Sequence, residues 1–200
     1  AKFLEFGETV RSTVRQRLAA LHQHLQKSQQ STLRIPVEFE IKALMLEMLV
    51  NCFFGANVSY ERIRNDFVPA FERVIDHIVR DTVSNRLGIP VSFRAKFSSR
   101  LKAIQADFDH MEELTDIVLA ARNSGAGQWK LFKSDASDDA LRSNLKVFLA
   151  GALEATTSYA TWAISHLARN PAAQQRVFQE VEQITDYSPE SLASSHYLGH

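Results

Sequence analysis

The chain has 200 residues, 23 basic and 23 acidic side chains, and no net charge. That balance gives no support for a nucleic acid or an anionic membrane surface as partner. Its single cysteine, Cys52, rules out an internal disulfide, and no run of 18 apolar residues is present to span a membrane.

Helical periodicity runs through nearly the whole sequence. Phe3, Phe6, Val10, Val14, Leu18, Leu21 and Leu25 step by three and four, the stripe of an amphipathic helix. The polar run Gln26 to Thr32 ends it. Pro36 opens a second helix and Gly55 closes it. This helix is apolar nearly all round from Leu44 to Phe54, so it is expected deep in the core, although it contains Glu47 and Asn51. A third helix is expected from Tyr60 to Val83, with Phe67, Phe71, Val74, Ile78 and Val79 inward. Pro69 should kink it or mark its true start. Gly88 and Pro90 break the pattern. A fourth helix carries Phe93, Phe97, Leu101, Ile104, Phe108, Met111, Leu114 and Ile117. Residues 123–137 form the one long loop. Ser137 is a suitable N-cap for a helix that runs to about Arg169, with Asp138 and Asp139 in its first turn. Asn170-Pro171 stops it and starts another, whose buried stripe is read as Val177, Phe178, Val181 and Ile184. Ser188-Pro189 starts a last short helix. No strand, hairpin or repeat signal stands out, so the fold class is all-α.

The long helix holds the most informative pattern, NLKVFLAGALEATTSYATWAISHLARNP from Asn144 to Pro171. Ala150, Gly151 and Ala152 form a small-residue patch, followed by Glu154 and the hydroxyls of Thr156 and Thr157. Gly costs about 1 kcal/mol against Ala within a helix, and a buried carboxylate costs more unless it is paired. A helix that accepts both at one point needs room and polarity there. A purely structural role for Glu154, paired with an Arg or Lys at a helix–helix contact, is the competing reading.

This segment resembles the long central helix of the cytochrome P-450 monooxygenases. The family pattern is Ala/Gly-Gly-x-Asp/Glu-Thr-Thr/Ser, then a Trp-Ala step, here Trp162-Ala163, then Leu-Ala-Arg-x-Pro, here Leu167 to Pro171. The 17-residue step from Glu154 to Pro171 fits without a gap. The resemblance implies a haem, an apolar small-molecule substrate, dioxygen and an electron-donating reductase. It implies that Glu154, helped by Thr156, delivers protons, and that Ala150, Gly151 and Ala155 leave room over the haem. The departure is Ala155, where the family usually has Thr. Thr156 takes the alcohol role through a local bulge, or an ordered water does, or the chemistry is atypical.

The resemblance further implies that residues 1–200 are part of a larger domain. Residues 1–55 would be scaffold helices, 60–121 the helices and loop roofing the substrate, 138–169 the central helix, and 171–200 the next helix and the lead-in, with Tyr197-Leu198, to a Glu-x-x-Arg helix. Cys52 lies mid-helix, outside the family's Phe-x-x-Gly-x-Arg ligand loop, so it is read as a structural thiol and not the iron ligand. The segment alone is therefore expected neither to hold haem in the family's way nor to turn over. The seven histidines are scattered, and His22 and His24 point in different directions on a helix, so no metal site is expected. Location is expected at the endoplasmic reticulum membrane for a microsomal-type member, otherwise in the cytoplasm. The alternative from another class is a non-catalytic helical interaction or scaffold module.

Overall fold

The computed structural model describes residues 2–28, 32, 34–84, 87–122, 124, 125, 127 and 137–184. The expected short helix at Ser188-Pro189, the lead-in around Tyr197-Leu198 and most of the 123–137 loop lie outside the described residues. Among those described there is no strand, and the fold is all-α.

The helices are α1 (Lys2–Lys27), α2 (Val37–Glu47), α3 (Tyr60–Arg62), α4 (Val68–Ser84), α5 (Val91–Arg94), α6 (Ser99–Arg122), α7 (Asp138–Arg169) and α8 (Pro171–Gln183). Helix α2 continues into a π-helical turn, Met48–Phe53, and α3 passes into another, Ile63–Phe67. The second wide turn sits just ahead of Pro69. Proline has no N–H for the carbonyl four residues back and crowds it, and the wider turn accommodates both losses. Gly55, at φ 72°, takes the left-handed conformation that ends the first π turn. Gly127 is also left-handed, and a Cβ there would stand 2.5 Å from the backbone of Phe54. Only glycine lets this loop close over the end of the α2 segment.

Helix α2 occupies the centre. It packs on α7 and α4, and its π turn packs on α1, while α6 packs on α4 and α7. The core is built from Leu46, Val50 and Phe54, from Ile63, Phe67 and Phe71, from Leu114 and Val118, and from Leu145, Leu149 and Leu153. Lys42, Glu47 and Asn51, polar positions of the stretch from Ile41 to Phe54, all have partners. Glu47 accepts from Arg17 of α1. Asn51 donates to the carbonyl of Val58 and accepts from its N–H, at 2.8 and 3.0 Å, pinning the loop after Gly55. Lys42 is described with the site below.

Three sequence expectations need correction. The fourth helix is not continuous: a 3-10 turn, Ala95–Phe97, is followed by Ser98 in extended conformation, which caps α6 through its hydroxyl on the Leu101 N–H. Phe93 and Phe97 precede that break and are exposed. On α4 the inward position is His77, whereas Ile78 and Val79 face outward, because the helix runs on past the core beyond Val74. The stripe on α8 exists as a pattern, but no residue of that helix is fully buried and Phe178 is 54% exposed.

Candidate functional site

Helix α7 has the expected bounds. Ser137 accepts from the Ala140 N–H at 3.3 Å, and Asn170 closes the helix just before Pro171. Its 32 residues span about 48 Å at 1.5 Å per residue. Leu141, Leu145, Leu149, Leu153 and Thr157 recur every four residues and are buried. This ridge faces α2 and α6.

The predicted site residues divide around that ridge. Ala150 is half-buried and packs on the core. Gly151 and Ala155 are exposed, one turn apart on the outer face, and a Cβ at Gly151 would meet nothing within 4 Å. Glu154 stands at the border, next to the buried Leu153 and the exposed Ala155. Its carboxylate lies 3.3 Å from the Lys42 ammonium of α2. The same ammonium donates to Glu72 of α4 at 3.2 Å. Lys42 is 5% exposed. Burial works against its charge, but Glu72 and Glu154 outweigh that effect and hold its pKa above the ordinary lysine value.

Thr156 is exposed. Helix α7 is α-helical from Asp138 to Arg169 with no wide turn, so Thr156 points about 100° away from position 155. The bulge that would bring its hydroxyl onto the Ala155 face is not formed. Thr157 is 1% exposed, and its hydroxyl has no hydrogen-bond partner among the described residues.

Lys42 and Glu72 were missed in the sequence as members of this cluster. The available signal was a lysine inside the most apolar helix, where an unpaired charge is too costly to keep. No sequence rule names its partner, because Glu72 and Glu154 come from distant helices.

Gly151 and Ala155 present a small-residue strip with open space before it, and a flat apolar group such as a haem fits against such a strip. The iron ligand is not supplied by these residues. Cys52 lies on the π turn toward α1, with its sulfur 3.7 Å from the Thr13 hydroxyl, and burial pushes its thiol pKa up. Among the described residues no group of His, Cys, Asp or Glu is arranged to hold a metal ion. No described helix is long and apolar enough to cross a membrane.

The sequence matches the cytochrome P-450 family over residues 1–193, and the chain belongs to that family. It is similar to the self-sufficient cytochrome P-450 monooxygenase CYP505E3 of Phanerodontia chrysosporium, with 26% identity over 164 residues. The match covers 76% of this chain and 15% of that protein's length.

Proposed function

We propose that this chain is the central part of a haem-thiolate monooxygenase that inserts one oxygen atom from dioxygen into an apolar organic substrate, with electrons from a reductase partner. The observation that carries the reading is the position of Glu154, paired inward to Lys42 and adjoining the open Gly151–Ala155 strip. A bound haem supplies the oxygen and electron-transfer chemistry. The residues of this chain supply space and protons. Gly151 and Ala155, backed by Ala150, leave room against the helix. Glu154 holds a proton, or gives one up, at its carboxylate oxygens on the edge of that strip. Ala155 leaves space for a water where the family's usual hydroxyl would stand. Thr156, on the neighbouring face, helps through such a water and not by direct contact.

The pairing of Glu154 with Lys42 is also what a purely structural role requires, and a scaffold module remains the competing reading. Glu154→Gln in the complete, haem-loaded protein separates them. Substrate affinity should stay within about twofold, while product formed per electron pair consumed falls by at least about tenfold, toward the range of a lost acid–base group. Unchanged turnover and coupling would sink the proton-delivery role.

A further inference from the structure

A cavity of about 680 Å³ opens where α4 ends and α5 and α6 begin. Its lining carries two buried nitrogens without a partner among the described residues, His77 Nε2 and Arg94 Nε. The His77 side chain is 9% exposed. Its ring packs T-shaped on Phe108, and the Asp81 carboxylate stands 4.0 Å from Nε2, beyond hydrogen-bond reach. Asp81 is turned instead to Arg94, whose Nη2 donates to both of its oxygens at 2.7 and 2.8 Å. A buried polar nitrogen left unpaired loses its hydration and gains nothing, so such atoms are rare unless a ligand or a water completes them. Ser98, Arg100 and Leu101 bring the start of α6 to the same cavity. The Ser98 hydroxyl takes the Leu101 N–H, and the N–H groups of Ser99 and Arg100 have no carbonyl of the helix to meet. This is the positive end of a 24-residue helix. Arg80, also in the lining, is held by Asp76, whereas Arg100 is exposed and forms no ion pair among the described residues. Val79, Val83 and Leu101 supply apolar wall.

We propose that this cavity binds the phosphate group of a small organic phosphate ester, with the body of the ester against Val79, Val83 and Leu101. The donors belong to three elements: His77 to α4, Arg94 to α5, and Arg100 with the first N–H groups to α6. Donors on separate elements approach from different directions, which suits the three oxygens of a phosphate ester better than the planar pair of a carboxylate. His77 donates from Nε2 as the neutral tautomer that carries its proton there. Arg94 keeps Asp81 through Nη2 and offers Nε. The cavity has the size of a small-molecule site, and a bare phosphate ion would leave most of it empty, so the ligand is an ester. This binding does not rest on the oxygen-transfer reading of α7.

The test is calorimetric titration of the complete, haem-loaded protein with phenyl phosphate at fixed ionic strength, beside phenol, benzoate and inorganic phosphate. Phenyl phosphate should bind at least about tenfold more tightly than each of the other three. Arg100→Gln should weaken it by about tenfold. His77→Phe keeps a ring on Phe108 and removes the nitrogens, and should weaken it by about threefold to tenfold. Without ligand, His77→Phe should leave the urea unfolding midpoint unchanged or raised, because it deletes an unpaired buried group. A structural His77 would instead lower that midpoint and leave the affinity for phenyl phosphate unchanged, which overturns its place in the site. Inorganic phosphate bound as tightly as phenyl phosphate would mean an adventitious ion only. Benzoate bound as tightly would overturn the assignment to a phosphate. Binding indifferent to both variants would put the ligand elsewhere and overturn the proposal. If His77→Phe does not fold, Arg100→Gln decides alone, since Arg100 is exposed.

Discussion

The two halves of α7 carry similar apolar content and meet opposite environments. From Leu141 to Thr157 every fourth residue is buried against α2 and α6, with exposures of 4% or less. Beyond Thr157 most large apolar residues turn outward: Tyr159 is 81% exposed, Trp162 67% and Ile164 47%, while Leu167 is half-buried. Trp162 stacks near the His166 ring, at 5.1 Å between centroids, and α8 beyond it buries no residue fully. Hydrophobic periodicity thus reports which face a helix offers, and burial depends on whether another element covers that face.

The sharpest way to break this comparison is one large-to-small substitution in each half. Leu149→Ala removes a fully buried side chain touching α2 and α6, and should cost about 2–5 kcal/mol in urea unfolding. Trp162→Ala deletes a larger side chain and should cost less than about 1 kcal/mol, because little of it leaves water on folding. Equal losses would mean that Trp162 is covered in solution and that the two halves do not differ.

Charges in the covered half provide the next test. Arg73 of α4 donates through two nitrogens to Asp107 of α6, at 2.8 and 2.7 Å. Asp107 is 4% exposed, so its carboxylate depends on this partner. Arg73→Met leaves that charge uncompensated. The arginine side chain is itself 55% exposed, so screening reduces the effect to about 1–2 kcal/mol. A loss below about 0.3 kcal/mol would show that water reaches Asp107 and that the α4–α6 contact is looser than the core it borders.

How much could be read beforehand follows the same division. Ser137, Asn170 and Pro171 act through the local backbone, so both ends of α7 were legible. The burial of the α2 segment was legible because it has no polar face to offer water. Ser98 could have been read as a cap and was passed over, because the apolar spacing from Phe93 to Leu101 continues through the break. The outward turn of Ile78, Val79 and Phe178 was not legible, since their spacing fits a stripe and only the neighbouring elements decide the outcome. At the site, the Gly151–Ala155 strip and Glu154 could be read within one helix. The Lys42–Glu72–Glu154 cluster could not, because it joins three helices distant in sequence.

A smaller effect should appear on the acid side of the stability curve. Glu40 of α2 accepts from Arg64 and from the Tyr60 hydroxyl. Burial pushes its carboxyl up, but these bonds outweigh burial and hold the pKa below the ordinary 4.5. A depressed pKa means that the folded state binds the proton less well than the unfolded chain. Its contribution is present above pH 4.5 and is lost as pH falls through the depressed value. Tyr60 is shifted the other way, to about 12, by burial and the Glu40 charge. Its contribution is present below about pH 10 and is lost as pH rises toward the folded value. Arg64→Met should flatten the acid limb between about pH 5 and 3 and leave the slope near neutrality unchanged. An acid limb as steep as the parent's would assign it to other carboxylates.

The smallest effect belongs at the boundary itself. Thr157 is the last fully buried residue of α7, between the exposed Thr156 and Ser158. Its methyl group packs, while its hydroxyl has no partner among the described residues. A buried hydroxyl without a partner gives up hydration and gains nothing, so replacing it with a methyl should be neutral or slightly stabilising. Thr157→Val is therefore expected within about 0.5 kcal/mol of the parent, and more stable if it differs. The same substitution at Thr156, already in water, changes no burial and should be silent in unfolding. A loss above about 1 kcal/mol at Thr157 would mean that its hydroxyl is bonded in solution. The boundary between the covered and open halves of α7 would then be polar and hydrated one turn from Glu154.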